Sequence, residues 1–325
     1  MPHDDFAAAP ARSLSSSTPA PTAPGIEGLE PGWVAHTVTT TLDEDLGGDP
    51  GRDVTTQATL ARDAVRTGAL VAREPGVVAG LVMVDEVLAQ VAARLGLGPV
   101  EVAWHRRDGD RVVRGDRLAT LTGPAQVILV AERTLLNLAS RASGVATATR
   151  AWADVLDAAP RDDGSRALVL DTRKTMPGLR PLDKYAVRCG GGTNKRMGLY
   201  DVAMIKDNHI AAAGSLAAAI SRVRDRFPDV PVQVEADTIE QALEAVASGA
   251  DFLLLDNMPD DVLAATVAAV RRAEREGVPA GHVELEATGN LTLERAAAVA
   301  ATGVDYLSVG ALTHSARVLD LALDL

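Results

Sequence analysis

The sequence predicts an α/β protein in which a mixed α+β domain is followed by an α/β barrel. With 325 residues, the chain is long enough for two domains or for one barrel with an appendage. Hydrophobic residues make up 47% of it and charged residues 23%, which are ordinary proportions for a packed core. After residue 165, short apolar runs alternate with amphipathic helical segments, and this alternation is typical of β/α units around a parallel sheet.

Charge and composition exclude several classes of function. The chain carries 32 Lys and Arg against 44 Asp and Glu, a net charge of −12, which argues against a nucleic-acid or acidic-membrane binder. No apolar run approaches the ~20 residues of a transmembrane helix. The sole cysteine, Cys189, cannot form an internal disulfide, which indicates a reducing compartment. We therefore expect a cytoplasmic protein that binds neither nucleic acid nor membranes.

The N-terminal third mixes helical and strand patterns. Residues 1–27 begin acidic and continue with Ala, Pro, Ser and Thr, which predicts a disordered tail. Helical patterns follow at 33–46 and 80–95, and alternating apolar strands at 68–72 and 100–105 flank the second of them. The segment therefore predicts an α+β domain.

The next segment predicts a hairpin and a helix. Asp-Gly and Arg-Gly-Asp sequences punctuate short strands over 108–118. Biotinyl and lipoyl carriers have a similar hairpin, but they need an acceptor lysine at the turn, and this sequence has none there. We therefore predict a structural β-layer, followed by a long helix over 126–143 that ends the domain of residues 28–143.

Six apolar runs after residue 165 each end in a polar residue. They lie at 167–170, 202–205, 232–234, 252–255, 283–285 and 306–307, with helical segments at 215–227, 238–248, 259–275 and 292–302. A doubly wound open sheet has a similar local pattern. The barrel is favoured because every strand ends at an ionisable or hydroxyl side chain, as around a barrel active site.

Residues that follow barrel strands converge on one mouth, so the strand ends predict the site. Glu235 and Asp256, on neighbouring strands, could hold a divalent cation such as Mg²⁺. The glycine-containing loops 288–290 and 308–311 lie where barrel enzymes commonly bind phosphate. These features predict a phosphorylated, anionic ligand.

Cations cluster at the same strand ends of this acidic protein. They are Arg173, Lys174, Lys195, Arg196 and Lys206. Arginine suits planar recognition of carboxylates, and lysine acts as a compact charge for phosphate. The combination fits an anionic organic acid that reacts with a diphosphate.

Seven motifs in order carry a resemblance to a known family. They are ERTLLN at 132–137, SGVAT at 143–147, DTRKTMPGLR at 171–180, KYAV at 184–187, GGG at 190–192, IKDNH at 205–209 and SVGALTH at 308–314. From about Leu42 to its C-terminus, the chain resembles the quinolinate phosphoribosyltransferases. Each motif alone is weakly specific, but seven in order are hard to reach by chance.

The resemblance implies a type II phosphoribosyltransferase, in which an N-terminal α/β sandwich domain precedes an incomplete α/β barrel usually described as seven-stranded. Residues 28–143, joined by 313–325, would form the sandwich, and 144–312 the barrel. The family forms homodimers in which the sandwich faces the partner's barrel, and assembly beyond the dimer stays open. The implied reaction converts quinolinate and 5-phosphoribosyl 1-diphosphate, with Mg²⁺, into nicotinate mononucleotide, diphosphate and CO₂ in de novo NAD synthesis.

The same resemblance implies roles for individual residues. Arg133 of the neighbouring subunit, with Arg173 and Arg196, would hold the two quinolinate carboxylates. Lys174 would lie close to both substrates, and Lys206 would contact the diphosphate donor. Glu235 and Asp256 would engage the ribose hydroxyls and Mg²⁺. The remaining substrate-binding residues would be Thr172, Lys195 and, around the 5-phosphate, Thr288, Gly289, Gly310 and His314.

Two positions depart from the family pattern. Lys195 stands where the family commonly has histidine. Lysine keeps a hydrogen-bond donor and a positive charge, but it cannot supply a neutral imidazole. Thr288-Gly289-Asn290 replaces Ser-Gly-Gly, and asparagine tolerates a left-handed backbone. We predict a structural role for His209.

Two other functions stay open from the residues alone. A barrel lyase or aldolase could form a Schiff base at Lys206. A non-catalytic sensor of phosphate ligands could use the same fold.

Overall fold

The structure, a computed structural model, describes residues 22–161, 164–278 and 281–325. Most of the predicted tail, residues 1–21, lies outside the described residues. Residues 22–27 were assigned to the tail, yet they contact the N-terminal domain. The Ala23 amide donates to the Asp108 carbonyl at 3.0 Å, and Arg188 donates to the Glu27 carbonyl at 2.9 Å. Residues 22–27 therefore pack on the folded chain, before the predicted boundary at residue 28.

Helices and strands alternate along most of the described chain. The helices are α1 (Pro31–Leu46), α2 (Thr56–Thr59), α3 (Val84–Leu95), α4 (Ala125–Asp157), α5 (Arg180–Cys189), α6 (Asp207–Ala213), α7 (Leu216–Arg226), α8 (Ile239–Ala247), α9 (Asp260–Arg275), α10 (Ala296–Ala301) and α11 (Ala311–His314). The strands are β1 (Val65–Ala72), β2 (Gly76–Val77), β3 (Glu101–Trp104), β4 (Arg111–Val112), β5 (Arg117–Pro124), β6 (Leu168–Leu170), β7 (Ala203–Ile205), β8 (Val232–Ala236), β9 (Phe252–Asp256), β10 (Glu284–Thr288), β11 (Tyr306–Ser308) and β12 (Leu321–Asp324).

The N-terminal domain is built on an antiparallel sheet in the order β12-β1-β5-β3, so the last strand of the chain joins the first domain. The predicted hairpin over 108–118 is wrong. Strand β4 pairs with β2, and β5 pairs with β1 and β3. The turn between β4 and β5 bonds to the end of β1, because the Gly115 amide donates to the Ala72 carbonyl at 2.8 Å. Beyond this turn, β5 therefore pairs with β1 and not with β4.

Helix α4 continues well past the predicted end at Ser143 and spans 33 residues. Gly144 does not end the helix. Its missing side chain lets the C-terminal segment approach, since a Cβ there would lie 2.2 Å from the Arg317 carbonyl oxygen. The predicted boundary at 143/144 therefore falls inside one continuous helix, which runs from the sandwich domain onto the barrel.

The second sheet is parallel and has six strands in the order β6-β11-β10-β9-β8-β7. Strand β6, which comes first along the chain, pairs with β11, which comes last, and the remaining strands pair in the order of the sequence. That circular order is a barrel and not a doubly wound sheet. In the described chain, β6 and β7 do not pair, so the barrel is incomplete. The seventh strand implied by the resemblance is reduced to one bridge between Leu170 and Thr193 on the open edge.

Side-chain alternation separates the barrel lumen from the outer core. Val232, Val234 and Ala236 of β8 belong to an apolar core that includes residues of the outer helices. Gln233 and Glu235 lie between them in the chain and therefore point into the lumen. Within the described ranges, no helix combines the length and apolar character needed to cross a membrane.

Helix α5 follows a barrel strand but packs into the N-terminal core, where Leu182, Tyr185 and Val187 are fully buried. The Tyr185 hydroxyl donates to the buried Asp108 carboxylate at 2.7 Å. Cys189 is 6% exposed in the same core, and burial raises the pKa of its thiol. The helix thus joins the two domains.

We predict that Asp108 makes the protein less stable as pH rises from about 4 to about 6. Burial raises the pKa of Asp108 from 3.8 to about 6, so the native state holds the proton more tightly than the unfolded state. A shift of this size corresponds to about 3 kcal/mol. In urea unfolding, the wild-type stability relative to Asp108→Asn should fall by about that amount over this range. The exposed Asp63→Asn controls for loss of one carboxylate, and parallel curves for all three proteins would contradict the assignment.

Candidate active site

A pocket of about 600 Å³ opens beside β7, at the carboxyl ends of the barrel strands. Its lining includes Arg173, Arg196, Leu199, Met204, Lys206 and His209. We call it the arginine pocket. Its volume is that of a small-molecule site. The structure therefore brings together three of the cations that the sequence placed at the strand ends.

Of the three guanidinium groups that line the pocket, those of Arg173 and Arg196 lie close enough to repel each other. Burial, followed by the charge of Arg173, lowers the pKa of Arg196. Arg196 is held by the Val202 carbonyl at 3.1 Å and the Met204 sulfur at 3.4 Å, and the buried Nε of Arg173 has no hydrogen-bond partner. Two like charges fixed in one pocket favour a ligand with more than one negative charge.

A buried ion pair holds the loop that carries Arg173. The Lys184 ammonium lies 2.5 Å from an Asp171 carboxylate oxygen, and both side chains are almost fully buried. Burial raises the pKa of Asp171 and lowers that of Lys184, and the charge of each partner opposes these shifts. Lys184 also donates to the Lys195 carbonyl at 2.9 Å. The pair therefore fixes the segment before Arg196 against the end of β6.

Lys195 is paired inside the barrel. Its ammonium lies 2.5 Å from one oxygen of the fully buried Glu286, whose other oxygen accepts from the Gln233 amide at 2.7 Å. Burial lowers the pKa of Lys195, and the Glu286 charge opposes that shift. The sequence placed Lys195 among the substrate-binding residues. In the structure its charge first neutralises Glu286, a partner that the sequence did not identify.

An acidic cluster lies beside Lys206. Carboxylate oxygens of Glu235, Asp237 and Asp256 lie within 4.8 Å of one another, and Lys206 forms an ion pair with Glu235. Burial and the neighbouring carboxylates raise the pKa of Asp237. The sequence analysis missed Asp237, although residues two apart after a strand often face the same side. A set of carboxylate oxygens suits a hard cation such as Mg²⁺.

The loops after β9 and β10 interlock. Gly289 has φ 88°, and a Cβ there would lie 2.2 Å from the Asn257 side-chain oxygen. Asn290 has φ 46°, and its amide donates to that same oxygen at 3.0 Å. The left-handed conformation that the sequence allowed for Asn290 is thus present. Thr288 lies beside Asp256 in the sheet register, next to the acidic cluster.

The loop after β11 contacts Lys174. A Cβ on Gly310 would lie 3.1 Å from the Lys174 side chain and 3.2 Å from the His314 ring. The Thr172 hydroxyl accepts from the Lys174 amide at 3.0 Å and shapes the preceding turn. Lys174 therefore extends from the loop of Arg173 towards the Gly310 loop.

Of the predicted residues, Arg133 lies apart from these contacts, whereas His209 takes part in them. Arg133 is exposed on α4, eight residues before Arg141, which corresponds to about 12 Å along the helix axis. It does not line the arginine pocket. The His209 ring accepts from the Lys206 amide at 3.0 Å and caps α6, which is the predicted structural role, and it also lines the pocket.

Comparison with known proteins shows the family of the chain. The family model for the quinolinate phosphoribosyl transferase N-terminal domain matches residues 53–143, and the model for the C-terminal domain matches residues 145–324. The chain belongs to the quinolinate phosphoribosyltransferase family.

Named relatives cover nearly the whole chain. A nicotinate-nucleotide pyrophosphorylase [carboxylating] of Mycobacterium leprae is 48% identical over 89% of this chain and 96% of its own. A probable nicotinate-nucleotide pyrophosphorylase [carboxylating] of Bacillus subtilis is 40% identical over 86% of this chain and 89% of its own. The solved structure of the nicotinate-nucleotide pyrophosphorylase from Francisella tularensis, 33% identical, covers 92% of this chain and 98% of its own with a TM-score of 0.79.

We predict that Lys195 and Glu286 are strongly coupled in stability. Lys195→Met or Glu286→Leu alone leaves one buried charge unpaired and should cost about 3 to 5 kcal/mol of unfolding free energy. The double variant should cost much less than the sum, because it removes both charges. Urea unfolding gives the free energy of unfolding of the wild type, the two single variants and the double variant. Additive losses would show that the two side chains do not act as a pair.

Proposed function

We propose that this protein is a quinolinate phosphoribosyltransferase that acts in de novo NAD synthesis. It transfers the phosphoribosyl group of 5-phosphoribosyl 1-diphosphate to quinolinate and releases diphosphate and CO₂, which leaves nicotinate mononucleotide. One observation carries the proposal: the pocket that holds Arg173 and Arg196 adjoins the acidic cluster through Lys206, in a chain of this family. A dicarboxylate and a sugar diphosphate need these two environments side by side.

Arg173 and Arg196 bind the quinolinate carboxylates in this proposal. Guanidinium groups match carboxylates in a planar, bidentate geometry, and two of them suit two carboxylates. The unpartnered Nε of Arg173 leaves that arginine with an unused donor. Arg133 of the neighbouring subunit supplies a third guanidinium. Its exposure on α4, outside the pocket of its own chain, supports this arrangement.

The donor lies on the opposite side of the mouth. Lys206 contacts its diphosphate, and Glu235 and Asp256 hold the ribose hydroxyls. Thr288, Gly289, Gly310 and His314 surround the 5-phosphate, where glycines allow backbone amides to approach the phosphate oxygens. Lys174 reaches from the acid side towards Gly310 and so lies near both substrates.

Mg²⁺ is the cofactor that fits the acidic cluster. Its three carboxylates offer oxygen ligands, and Lys206 takes up part of the Glu235 charge. When bound, the ion neutralises charge on the diphosphate that leaves. We assign Asp237 to this cluster together with Glu235 and Asp256.

The chemistry needs alignment and charge stabilisation more than proton transfer. The pyridine nitrogen attacks C1 of the ribose, the bond from C1 to the diphosphate breaks, and the ring nitrogen becomes cationic. Lys206 stabilises the departing negative charge, and Arg173 and Arg196 hold the ring in line with C1. The C2 carboxylate then leaves as CO₂. Its bonding electrons stay at C2, beside the cationic nitrogen, until C2 takes up a proton.

We further propose a homodimer with shared active sites and a cytoplasmic location. The exposed position of Arg133 supports the dimer. The single, buried cysteine supports the location.

The Schiff-base alternative fits the geometry poorly. Lys206 forms an ion pair with Glu235 and is about half exposed, with a side-chain exposure of 47%. A nucleophilic lysine instead needs an apolar or cationic environment that favours the neutral amine. The sensor alternative predicts binding of both substrates without turnover, which the first experiment below detects.

We expect purified protein to form nicotinate mononucleotide and CO₂ from quinolinate and 5-phosphoribosyl 1-diphosphate when Mg²⁺ is present. Nicotinate as the acceptor should give little product, because it lacks the second carboxylate that the two arginines bind. Chelation of Mg²⁺ with EDTA should abolish turnover, and added Mg²⁺ should restore it. Binding of both substrates by calorimetry without product would favour the sensor.

We expect Arg173→Ala and Lys206→Ala to affect different substrates. Loss of a charged hydrogen bond corresponds to about a 10- to 100-fold change in affinity. Arg173→Ala should raise the KM for quinolinate by that factor, and Lys206→Ala the KM for the diphosphate donor. Arg173→Lys keeps the charge without the bidentate geometry and should give an intermediate value. Equal effects of both alanine variants on both KM values would contradict these roles.

A further inference from the structure

A network of three residues outside the predicted site joins the two substrate loops. Arg141 lies on α4, Asp183 on α5 and Thr313 on α11. Arg141 donates from Nε and Nη2 to the two Asp183 carboxylate oxygens at 3.1 and 3.0 Å. The same Nη2 donates to the Thr313 carbonyl. One guanidinium therefore contacts two elements that are far apart in sequence.

Each end of this network continues into a substrate loop. Asp183 accepts from the Met176 amide at 3.1 Å, and the Thr313 hydroxyl donates to the Lys174 carbonyl at 2.9 Å. Met176 and Lys174 lie in the loop after β6 that carries Arg173. Thr313 lies in the stretch between Gly310 and His314. The carboxylate-binding loop and the phosphate-binding loop are thus connected through Arg141, Asp183 and Thr313.

The network is shielded from water. Asp183 and Thr313 are fully buried, and the Arg141 side chain is only 14% exposed. Bidentate, charged hydrogen bonds are strong and geometrically specific in such an environment. None of the three residues lines the arginine pocket.

We propose that Arg141, Asp183 and Thr313 are positioning residues that set the distance between the bound acid and the bound phosphoribosyl donor. The inference rests on the proposed function, because it assigns one loop to each substrate. Each loop can still bind its own substrate without the network. What the network adds is the alignment of the ring nitrogen with C1, and a misplacement of about 1 Å can cost 100-fold in rate.

The most direct test is Thr313→Val, which has nearly the same shape and keeps the carbonyl that accepts from Arg141. It removes the hydrogen bond to the Lys174 carbonyl. We expect kcat to fall about tenfold. The dissociation constant of each substrate, measured alone by calorimetry, should change less than about threefold. Asp183→Asn should lower kcat by a similar factor. The double variant of Asp183→Asn and Thr313→Val should have a kcat little lower than that of either single variant, because the residues act as one unit.

Asp305→Asn is the matched control. Asp305 pairs with Arg271 at 2.6 Å, and it precedes β11, at the opposite end of the barrel. A residue that acts only in stability should lower the melting temperature and leave kcat unchanged. We expect that result for Asp305→Asn only. An unchanged kcat in folded Thr313→Val, or a large rise in one dissociation constant with kcat intact, would overturn the proposal.

Amide hydrogen exchange separates this inference from the proposed function. Thr313→Val should increase exchange in both segments, 174–179 and 310–314, and Asp305→Asn in neither. If the wild type does not turn over quinolinate, the proposed function fails, while faster exchange in both segments still supports the network. Faster exchange in only one segment would show that the loops are not linked.

Discussion

Helix α5 holds the active site to the N-terminal domain through three consecutive buried side chains. Successive helical residues point about 100° apart, so neighbouring side chains reach different elements. Asp183 pairs with Arg141 on α4, Lys184 pairs with Asp171 at the end of β6, and Tyr185 donates to Asp108 in the N-terminal domain. Each buried polar group would cost free energy without its partner. The position of α5 is therefore specified from three sides, and the loop of Arg173 with it.

Charge is separated across the mouth of the barrel, and this separation makes a two-substrate reaction possible. The chain is acidic overall, yet Arg173 and Arg196 face one pocket with no carboxylate among its lining residues. The acidic cluster of Glu235, Asp237 and Asp256 lies on the next two strands, and Lys206 stands between the two regions. The proposed function therefore gives the dianionic acid and the diphosphate donor separate, neighbouring regions of the mouth.

The sequence predicted the barrel well because each of its signals is local. A buried parallel strand is a short apolar run, and its end is marked by a polar residue. The predicted end of α4 was wrong because the helix continues through Gly144 to Asp157, and the close approach of the Arg317 carbonyl that requires glycine there comes from a distant part of the chain. The hairpin was wrong because the bonds of its turn go to β1. Pairs such as Lys195 and Glu286, 91 residues apart, depend on the folded register and leave no mark in a local pattern.

The buried carboxylate of Glu286 in the lumen explains the lysine at position 195. Glu286 is fully buried on an inward-facing position of β10, so its carboxylate needs a cation to offset the cost of leaving water. A neutral imidazole at this position would offer one hydrogen bond, whereas lysine supplies both a donor and a full charge. Lys195 and Glu286 together form a neutral pair in the lumen. In the part of the chain that the structure describes, no carboxylate lines the pocket of Arg173 and Arg196, so the proposed function assigns discrimination by charge to these two guanidinium groups.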